Sequence, residues 1–303
     1  MLTRLAPTPS GFLHEGNLVN FLLVQRLARE VGADIALRID DMDVFRMRTE
    51  YVDDVFRCLR WLGIEWQQGP QDMADYEQLP EPEDRADHYY DVLDDMVVAG
   101  LPAFVCKCSR RDLGRNLRCE QGCAAKRLEL VARRTAVRVR IPDTEVALAR
   151  AFGDVTMWRR EDLPAYQLAS LVDDHEMAVT HIVRGADLRD STALQLWLAR
   201  FLPDSPFLRA DIRHHELVAG EDGAKLSKSQ GTERLELTPG LRSRLDALVA
   251  STVLGSAQEQ LVEAARGEGQ ADDAEAGEVG DVPEQGLVEL PVHEPAQHGD
   301  RLP

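Results

Sequence analysis

The first forty residues change from a strand-like to a helix-like pattern of apolar positions and back again. Leu2–Ala6 and Asp34–Ile39 are short segments of the kind that form buried strands. Between them, apolar residues recur at helical spacing from about Leu13, and Gly32 is positioned to end the helix. A strand, a helix and a strand in this order predict a βαβ unit, and therefore a parallel, doubly wound sheet.

The remaining pattern predicts further elements and no internal repeat. The predicted helices are Tyr51–Leu62, Ala86–Ala99, Tyr166–Val172, Ser191–Phe201 and Leu241–Leu254. The predicted strands are 134–142 and His181–Val183.

Composition narrows the class of protein. A chain of 303 residues suggests two domains, or one large α/β unit with an insertion. It has no apolar run long enough to span a bilayer and no secretory pattern at its N-terminus, so we expect a cytoplasmic protein without a membrane partner. A net charge of −18 argues against a protein that coats nucleic acid.

The charge is distributed unevenly, and this changes that inference. Residues 256–303 hold 12 Asp and Glu against 2 Arg, and their composition predicts a disordered tail. Residues 106–140 instead hold 11 Lys and Arg against 3 acids. A basic segment inside an acidic chain is either an ordinary solvated surface or a surface for phosphates.

Four of the five cysteines lie in the same basic segment. Cys106 and Cys108 form a CxC pair, and Cys119 and Cys123 form a Cx3C pair. Short spacings at both ends favour a tetrahedral, structural Zn²⁺ site over free or redox-active thiols. Cys58 lies on a predicted helix, where core packing is the expected role.

Two short motifs have the chemistry needed to bind phosphates. His14-Glu15-Gly16-Asn17 lies at the start of the first helix, where free N–H groups and the helix dipole favour anions. Lys225-Leu-Ser-Lys228 places two ammonium groups where they can hold a polyphosphate. Taken singly, the first is equally an ordinary helix start and the second an ordinary basic loop.

Together, these motifs resemble the HIGH and KMSKS signatures of class I aminoacyl-tRNA synthetases. Arg4–Gly11 (RLAPTPSG) and Leu37–Arg46 (LRIDDMDVFR) are similar to the RFAPSPTG and RIEDTDxxR stretches of glutamyl-tRNA synthetases. The later segments that resemble this family are Ala165–Ala169, Val172–His175 and Ile182–Asp187. The chain is short beyond the lysine motif, and in this it resembles the glutamyl-queuosine tRNA(Asp) synthetases, which lack a large anticodon-binding region.

The resemblance implies an α/β fold with a Rossmann-like, doubly wound parallel-sheet catalytic domain and an inserted, zinc-containing subdomain that binds the acceptor. The expected divisions are a first catalytic half at 1–100, the insertion at 101–165, a second catalytic half with the lysine motif at 166–232, a short helical segment at 233–255, and the acidic tail at 256–303.

It also implies the roles of single residues. His14, Asn17, Lys225 and Lys228 are the expected catalytic residues, acting on ATP that carries Mg²⁺. The expected ATP contacts are Pro7, His14, Gly16, Asn17 and Lys228. The expected amino-acid contacts are Arg4, Ala6, Thr8, Asp40, Tyr166 and Arg184, in which the arginines bind a side-chain carboxylate and Asp40 the α-ammonium.

Some of these residues have simpler interpretations. Arg184 also fits a structural ion pair with Asp187 or Asp173, and Tyr166 also fits a core aromatic. Asp40 stands where the glutamyl family has Glu, so its carboxylate would lie about 1.5 Å further from an ammonium. Because related glutaminyl enzymes have Asp there, glutamine stays open as the substrate.

The expected function is ATP-dependent activation of glutamate and its transfer to tRNA, with queuosine of tRNA(Asp) as the acceptor. One alternative is a synthetase paralogue with another amino acid or a non-tRNA acceptor. Another is a non-catalytic regulator that binds tRNA or glutamate. The expected partners are ATP, glutamate and a tRNA bound through the basic insertion, and the expected state is a monomer.

Overall fold

The computed structural model describes residues 1–114, 116–217 and 233–257. Its α-helices are α1 (Glu15–Val31), α2 (Thr49–Leu62), α3 (Met73–Tyr76), α4 (Pro82–Val98), α5 (Val146–Phe152), α6 (Tyr166–Glu176), α7 (Arg189–Leu198) and α8 (Pro239–Ser251). Its strands are β1 (Leu2–Leu5), β2 (Asp34–Leu37), β3 (Ala103–Cys106), β4 (Ala136–Arg140), β5 (Asp154–Trp158), β6 (His181–Gly185), β7 (Asp211–His215) and β8 (Gly255–Ser256). In the described residues, no helix combines the length and apolar character needed to cross a bilayer.

The chain divides into two compact units. The first contains Met1–Pro80, Asp174–Arg189 and the described residues from Arg209 onward. The second contains the described residues of Glu81–Asp173, together with Asp190–Leu208. The domain bounds expected from the sequence stay predictions.

The first unit is built on a five-stranded sheet with the strand order β2-β1-β6-β7-β8. The first four strands are parallel, and only β8 runs antiparallel to its neighbour β7. The register of β1 and β2 pairs Leu2 with Asp34 and Leu5 with Leu37. A parallel pair joined by α1 confirms the βαβ unit that the sequence predicts.

Helix α1 covers this sheet with an apolar face. Leu18, Leu22 and Leu27 are buried in a core that also takes in α2. The helix ends at Gly32, which has a φ of 67°, a left-handed conformation that glycine adopts without steric cost.

Helix α8 packs its buried Leu241 and Leu245 into the same core. Arg26 of α1 donates to the carbonyl oxygens of Val249 at 2.6 Å and Thr252 at 3.0 Å, so these carbonyls at the end of α8 are satisfied by a guanidinium.

Two features of this unit differ from the sequence prediction. The predicted helix to Leu254 ends at Ser251 because Thr252 is extended and the chain then enters β8. Strand β7 was not predicted, because Asp211–His215 contains a single apolar residue and its polar side chains obscure the strand pattern.

The second unit contains a three-stranded antiparallel sheet with the order β3-β4-β5. Strand β4 confirms the strand predicted within 134–142, and Val137 and Val139 are fully buried. Tyr90 of α4 packs edge-on against Trp158 of β5 with the ring centroids 5.1 Å apart, an arrangement that aromatic pairs favour.

Candidate active site

Three arginines lie at the carboxyl ends of three adjacent strands in the first unit. Arg4 is the penultimate residue of β1, Arg184 is the penultimate residue of β6, and Arg38 directly follows β2. Because these strands are parallel, their carboxyl ends meet at one edge of the sheet, the edge at which α/β sheets bind ligands.

The three guanidinium groups converge on Asp174 of α6. Arg4 donates from Nε to Oδ1 at 3.0 Å and from Nη2 to Oδ2 at 3.3 Å. Arg38 donates from Nη1 to Oδ1 at 2.7 Å, and Arg184 from Nη2 to Oδ2 at 3.3 Å. Arg184 therefore has an ion-pair partner other than the Asp187 and Asp173 that the sequence suggested.

Asp174 is an ionised group in a fully buried position. Its exposed fraction is 0%, against 5% for Arg4 and 3% for Arg184. Burial by itself would raise the pKa of this carboxyl, but the charges of the three arginines outweigh burial and hold the pKa at about 2. The side chain is therefore a carboxylate at every physiological pH.

Asp40 joins the same network through Arg38. The Nε of Arg38 donates to Oδ1 of Asp40 at 2.7 Å, so one guanidinium links Asp40 to Asp174. The backbone N–H of Asp40 donates to the carbonyl oxygen of Pro7 at 2.9 Å, which ties together the loops that follow β1 and β2. The structure thus brings Arg4, Asp40 and Arg184, three of the residues expected to contact the amino acid, into one network.

The start of α1 forms the second part of the site. His14 precedes the helix in extended conformation, and its backbone N–H donates to Oδ1 of Asn17 at 3.0 Å. A Cβ at Gly16 would lie 3.0 Å from Cε1 of His14, so a side chain there would press against the imidazole. Glycine therefore permits the observed position of the His14 ring beside the helix start.

A buried carboxylate, that of Asp54, accepts a hydrogen bond from the backbone just before this helix start. The backbone N–H of Leu13 donates to Oδ2 of Asp54 at 3.1 Å, and Arg57 donates to Oδ1 of the same carboxylate at 2.7 Å. Asp54 lies on α2 and is fully buried, so it fixes the loop that carries His14 relative to a second helix.

The other expected contacts are distributed more widely. Pro7 is buried, and Ala6 and Thr8 are half-buried in the loop after β1. Tyr166 begins α6 in the second unit and is 41% exposed, so it is not the core aromatic of the simpler interpretation. Lys225 and Lys228 lie outside the described residues.

The four clustered cysteines meet in the second unit. All four are buried, and their sulfur atoms lie within 4.8 Å of one another. The Sγ of Cys108 is 3.6 Å from that of Cys119 and 3.8 Å from that of Cys123. These distances exceed a disulfide bond of about 2.05 Å. They match the spacing of about 3.8 Å that four sulfurs have around a tetrahedral Zn²⁺ with bonds of about 2.3 Å.

The donor chemistry of this cluster also fits a metal. Burial acts to raise the pKa of the Cys119 thiol, but hydrogen bonds from the backbone and side chain of Cys123 and from Cys108 outweigh it and lower the pKa to about 7. Burial instead raises the pKa of the Cys106 and Cys108 thiols, so Cys119 forms a thiolate before these two, and thiolates are the ligands that Zn²⁺ prefers. Cys58, in contrast, is buried on α2 with its pKa raised to about 12 by burial, as expected of core packing.

Strands β4 and β5 hold the cysteine cluster in place through polar contacts. The Oδ2 of Asp154 accepts the backbone N–H of Cys119 at 2.7 Å. Arg140 donates to both oxygens of Asp154 at 2.8 Å and to the carbonyl oxygen of Cys119 at 3.3 Å. Arg138 reaches the carbonyl oxygen of Cys108 at 3.3 Å.

The basic segment separates into structural and exposed residues. Arg138 is buried, Arg140 pairs with Asp154, and Arg118 pairs with Asp143 at 2.8 Å. Arg115 lies outside the described residues. The cations on the surface are Lys107, Arg110, Arg111, Lys126, Arg127, Arg133 and Arg134. These seven are the exposed cations of the segment among the described residues, and we call them the basic face.

Sequence reasoning missed Arg38, Asp174 and Asp154 as members of these sites. Arg38 and Asp174 both lie in segments that resemble the synthetases, but nothing in a linear pattern pairs residues that are 136 positions apart. The role of Asp154 could not be predicted either, because it depends on the pairing of two antiparallel strands that places Asp154 opposite Arg140.

Comparisons with known proteins identify the family of the chain. The model of the catalytic domain of class I tRNA synthetases (E and Q) matches residues 1–139 and 134–238. A glutamyl-Q tRNA(Asp) synthetase of Pseudomonas syringae pv. tomato is 36% identical over 279 residues, which cover 85% of this chain and 89% of that protein.

A glutamate–tRNA ligase of Natranaerobius thermophilus is 29% identical over 256 residues, which cover 75% of this chain and 51% of the ligase. The chain thus spans about half the length of the glutamate–tRNA ligases that it matches. The structure of a glutamate tRNA ligase from Elizabethkingia meningosepticum superposes with a TM-score of 0.57 at 20% identity, covering 76% of this chain and 52% of the ligase. That likeness shows a shared fold.

The family model extends over most of the described residues, including the arginine cluster and the start of α1. The P. syringae relative exceeds 30% identity over most of both chains. These matches confirm the family that the motifs predict: the chain belongs to the class I tRNA synthetases (E and Q), as a member of their catalytic-domain family.

Proposed function

We propose that the protein activates glutamate with ATP and transfers it to tRNA, with queuosine of tRNA(Asp) as the acceptor. The observation that carries the amino-acid half is the burial of Arg4 and Arg184 in one network with Asp40 at the carboxyl edge of the sheet. Guanidinium groups bind carboxylates well, and a buried pair of them selects an acidic side chain. The acceptor is proposed because the P. syringae relative, which this chain matches over 89% of its length, is a glutamyl-Q tRNA(Asp) synthetase.

In the first step, an oxygen of the glutamate α-carboxylate attacks the α-phosphorus of ATP. The bond from that phosphorus to the pyrophosphate oxygen breaks, which leaves glutamyl-adenylate and pyrophosphate. The protein supplies positioning and charge stabilisation. His14, Gly16 and Asn17 hold the phosphates at the positive end of α1, and Pro7 borders the nucleotide. Lys225 and Lys228 stabilise the departing pyrophosphate, and Mg²⁺ accompanies ATP.

In the second step, a hydroxyl of the tRNA attacks the carbonyl carbon of the adenylate, and AMP leaves. Arg4 and Arg184 keep the side-chain carboxylate bound, while Asp40 holds the α-ammonium. Ala6 and Thr8 complete the proposed amino-acid contacts of the first unit, and the resemblance to the family assigns a further contact to Tyr166. We place this reaction in the cytoplasm and expect one chain to carry it out as a monomer.

We further propose that Cys106, Cys108, Cys119 and Cys123 bind one structural Zn²⁺. The proposal is supported by the sulfur spacing, by the burial of all four thiols and by the support that Asp154 gives to Cys119. The ion would fix the segment that carries the basic face, and the basic face would contact tRNA phosphates.

Glutamine is the second candidate substrate, and Asp40 is the observation that favours it. Its side chain is one methylene shorter than the Glu of the glutamyl family, as in related glutaminyl enzymes, and it accepts from Arg38. A guanidinium group, however, binds a carboxylate more strongly than a neutral amide, and this favours glutamate.

The test is ATP–pyrophosphate exchange with glutamate, glutamine and aspartate, followed by charging of tRNA(Asp) with and without queuosine. We expect exchange with glutamate in the absence of tRNA, and a charged product only with the queuosine-containing tRNA. Arg4→Gln should abolish exchange, whereas Arg29→Gln, which alters an exposed residue of α1, should leave it unchanged. If only glutamine supports exchange, glutamine is the substrate instead of glutamate. If tRNA(Asp) is charged equally well without queuosine, queuosine is not the acceptor.

A further inference from the structure

Asp174 is a buried carboxylate that the proposed chemistry does not use. It is fully buried on α6 and so does not touch a ligand directly. Nevertheless, it contacts Arg4, Arg38 and Arg184, and two of these are the proposed ligands of the substrate side chain.

The electrostatics of this cluster require an anion at that position. The guanidinium groups of Arg4 and Arg184, which are buried, and of Arg38, which is half-buried, repel one another, and each loses hydration. The charge of Asp174 offsets one of them, and Asp40, which pairs with Arg38, offsets a second.

The hydrogen bonds also fix the direction of the guanidinium groups. Arg4 donates through both Nε and Nη2 to the two oxygens of Asp174, a bidentate contact that sets the plane of its guanidinium. Among the described residues, no hydrogen bond engages Nη1 of Arg4. Arg184 contacts Asp174 through Nη2.

We propose that Asp174 is a positioning residue, which orients Arg4 and Arg184 for the side-chain carboxylate of the substrate. The inference rests on the proposed function, because it explains how the site accepts an acidic amino acid. Asp174 then contributes to the preference for glutamate over glutamine without contacting either.

The experiment replaces the carboxylate and then returns it as formate. The full-length Asp174→Ala chain should have a lower melting temperature than the unmodified protein, and formate should raise it again relative to equal concentrations of chloride. Asp211→Ala provides the matched control, because Asp211 also pairs with an arginine, Arg213, at 2.7 Å but is a third exposed. Formate should not stabilise that variant.

The effect on function is measured as separate KM values for glutamate and for ATP. In Asp174→Ala, we expect KM for glutamate to rise at least about tenfold, KM for ATP to change less than about twofold, and formate to restore the glutamate value. Discrimination between glutamate and glutamine should fall by a similar factor. Asp174→Asn keeps the shape without the charge, so it should show the same loss and no rescue, and it serves if the alanine variant does not fold.

The possible outcomes distinguish a failure of the proposed function from a failure of the positioning role of Asp174. If the unmodified protein exchanges with no amino acid, the proposed function fails and takes the substrate role of Asp174 with it. If the unmodified protein activates glutamate, but formate restores only the melting temperature or KM for glutamate does not change, Asp174 is purely structural and the inference is overturned.

Discussion

The side-chain oxygen of Asn17 accepts a hydrogen bond from the backbone N–H of His14 at 3.0 Å. The two residues that the motif assigns to ATP are therefore also the two ends of a helix cap. The amide oxygen of Asn17 holds the helix start, so in the proposed function the NH₂ group is the part of the side chain that would donate to a phosphate.

Two substitutions of Asn17 separate these roles. Asn17→Ala removes the cap and should lower the free energy of unfolding by about 1 kcal/mol. Asn17→Asp keeps an acceptor for the His14 N–H and suits the helix dipole, so stability should be retained. Its negative charge beside the ATP phosphates should nevertheless reduce ATP–pyrophosphate exchange more than about 100-fold.

The measurements are urea unfolding and exchange at saturating glutamate. Asn116→Asp makes the same chemical change at an exposed position of the second unit and should affect neither quantity. Full exchange by Asn17→Asp would remove Asn17 from the phosphate site and leave it only as a cap.

The first βαβ unit could be predicted from the sequence because its signals are local. The apolar residues of α1 recur at helical spacing over neighbouring positions in the sequence, and the left-handed backbone conformation of Gly32 ends the helix. The motif at His14–Asn17 is also a local signal, because the hydrogen bond that caps the helix joins residues only three positions apart.

The arginine cluster could not be predicted in this way. Arg4 and Asp174 are 170 residues apart, and their contact depends on the strand order of the finished sheet. The resemblance identified Arg4 and Arg184 but not the carboxylate between them. The four cysteines were recognised because their spacing is short, whereas the carboxylate of Asp154 that supports Cys119 comes from another strand.

The metal proposal leads to a test at Asp154, outside the four cysteines. We expect one Zn²⁺ per chain by elemental analysis. Asp154→Asn removes the charged acceptor of the Cys119 N–H and of Arg140, so zinc affinity should fall about 10- to 100-fold in chelator competition. Asp143→Asn, which alters an exposed carboxylate paired with Arg118, should leave affinity unchanged. A chain without bound metal, with four freely titrating thiols, would refute the zinc site.

The basic face predicts how tRNA affinity responds to salt. Replacing Arg110, Arg111 and Arg127 together by Gln removes three exposed cations that flank the cysteine cluster. If all three contact phosphates, the slope of log affinity against log salt should decrease by about 2 to 3, and affinity should fall about 10- to 100-fold. Glutamate activation should not change, because the exchange reaction does not use this surface.

The control for this variant removes the same charge elsewhere. Arg29, Arg150 and Arg209 are exposed and lie outside the basic segment. Their joint replacement by Gln should leave both the tRNA affinity and the salt slope near those of the unmodified protein. Equal losses in the two triple variants would mean that net charge, and not the basic face, governs tRNA binding.

His214 predicts a loss of stability in mild acid. This histidine is buried on β7, and burial is the main cause that lowers its pKa to about 4. The positive charges of Arg184 and Arg189, and His215, lower the pKa further, whereas Asp187 has a smaller effect that raises it. Because the folded pKa lies below the unfolded value of about 6.5, the neutral form stabilises the fold above about pH 6.5, and this contribution is lost as the pH falls towards 4.

Between about pH 7 and about pH 5.5, His214 should account for a loss of about 1 kcal/mol in the free energy of unfolding. His214→Gln should reduce the measured difference between the two pH values by that amount in urea titrations. His88→Gln, which alters an exposed residue of α4, should not change it. A difference that His214→Gln leaves intact would assign the acid sensitivity to other groups, of which His181 and His215 also have pKa values lowered by burial.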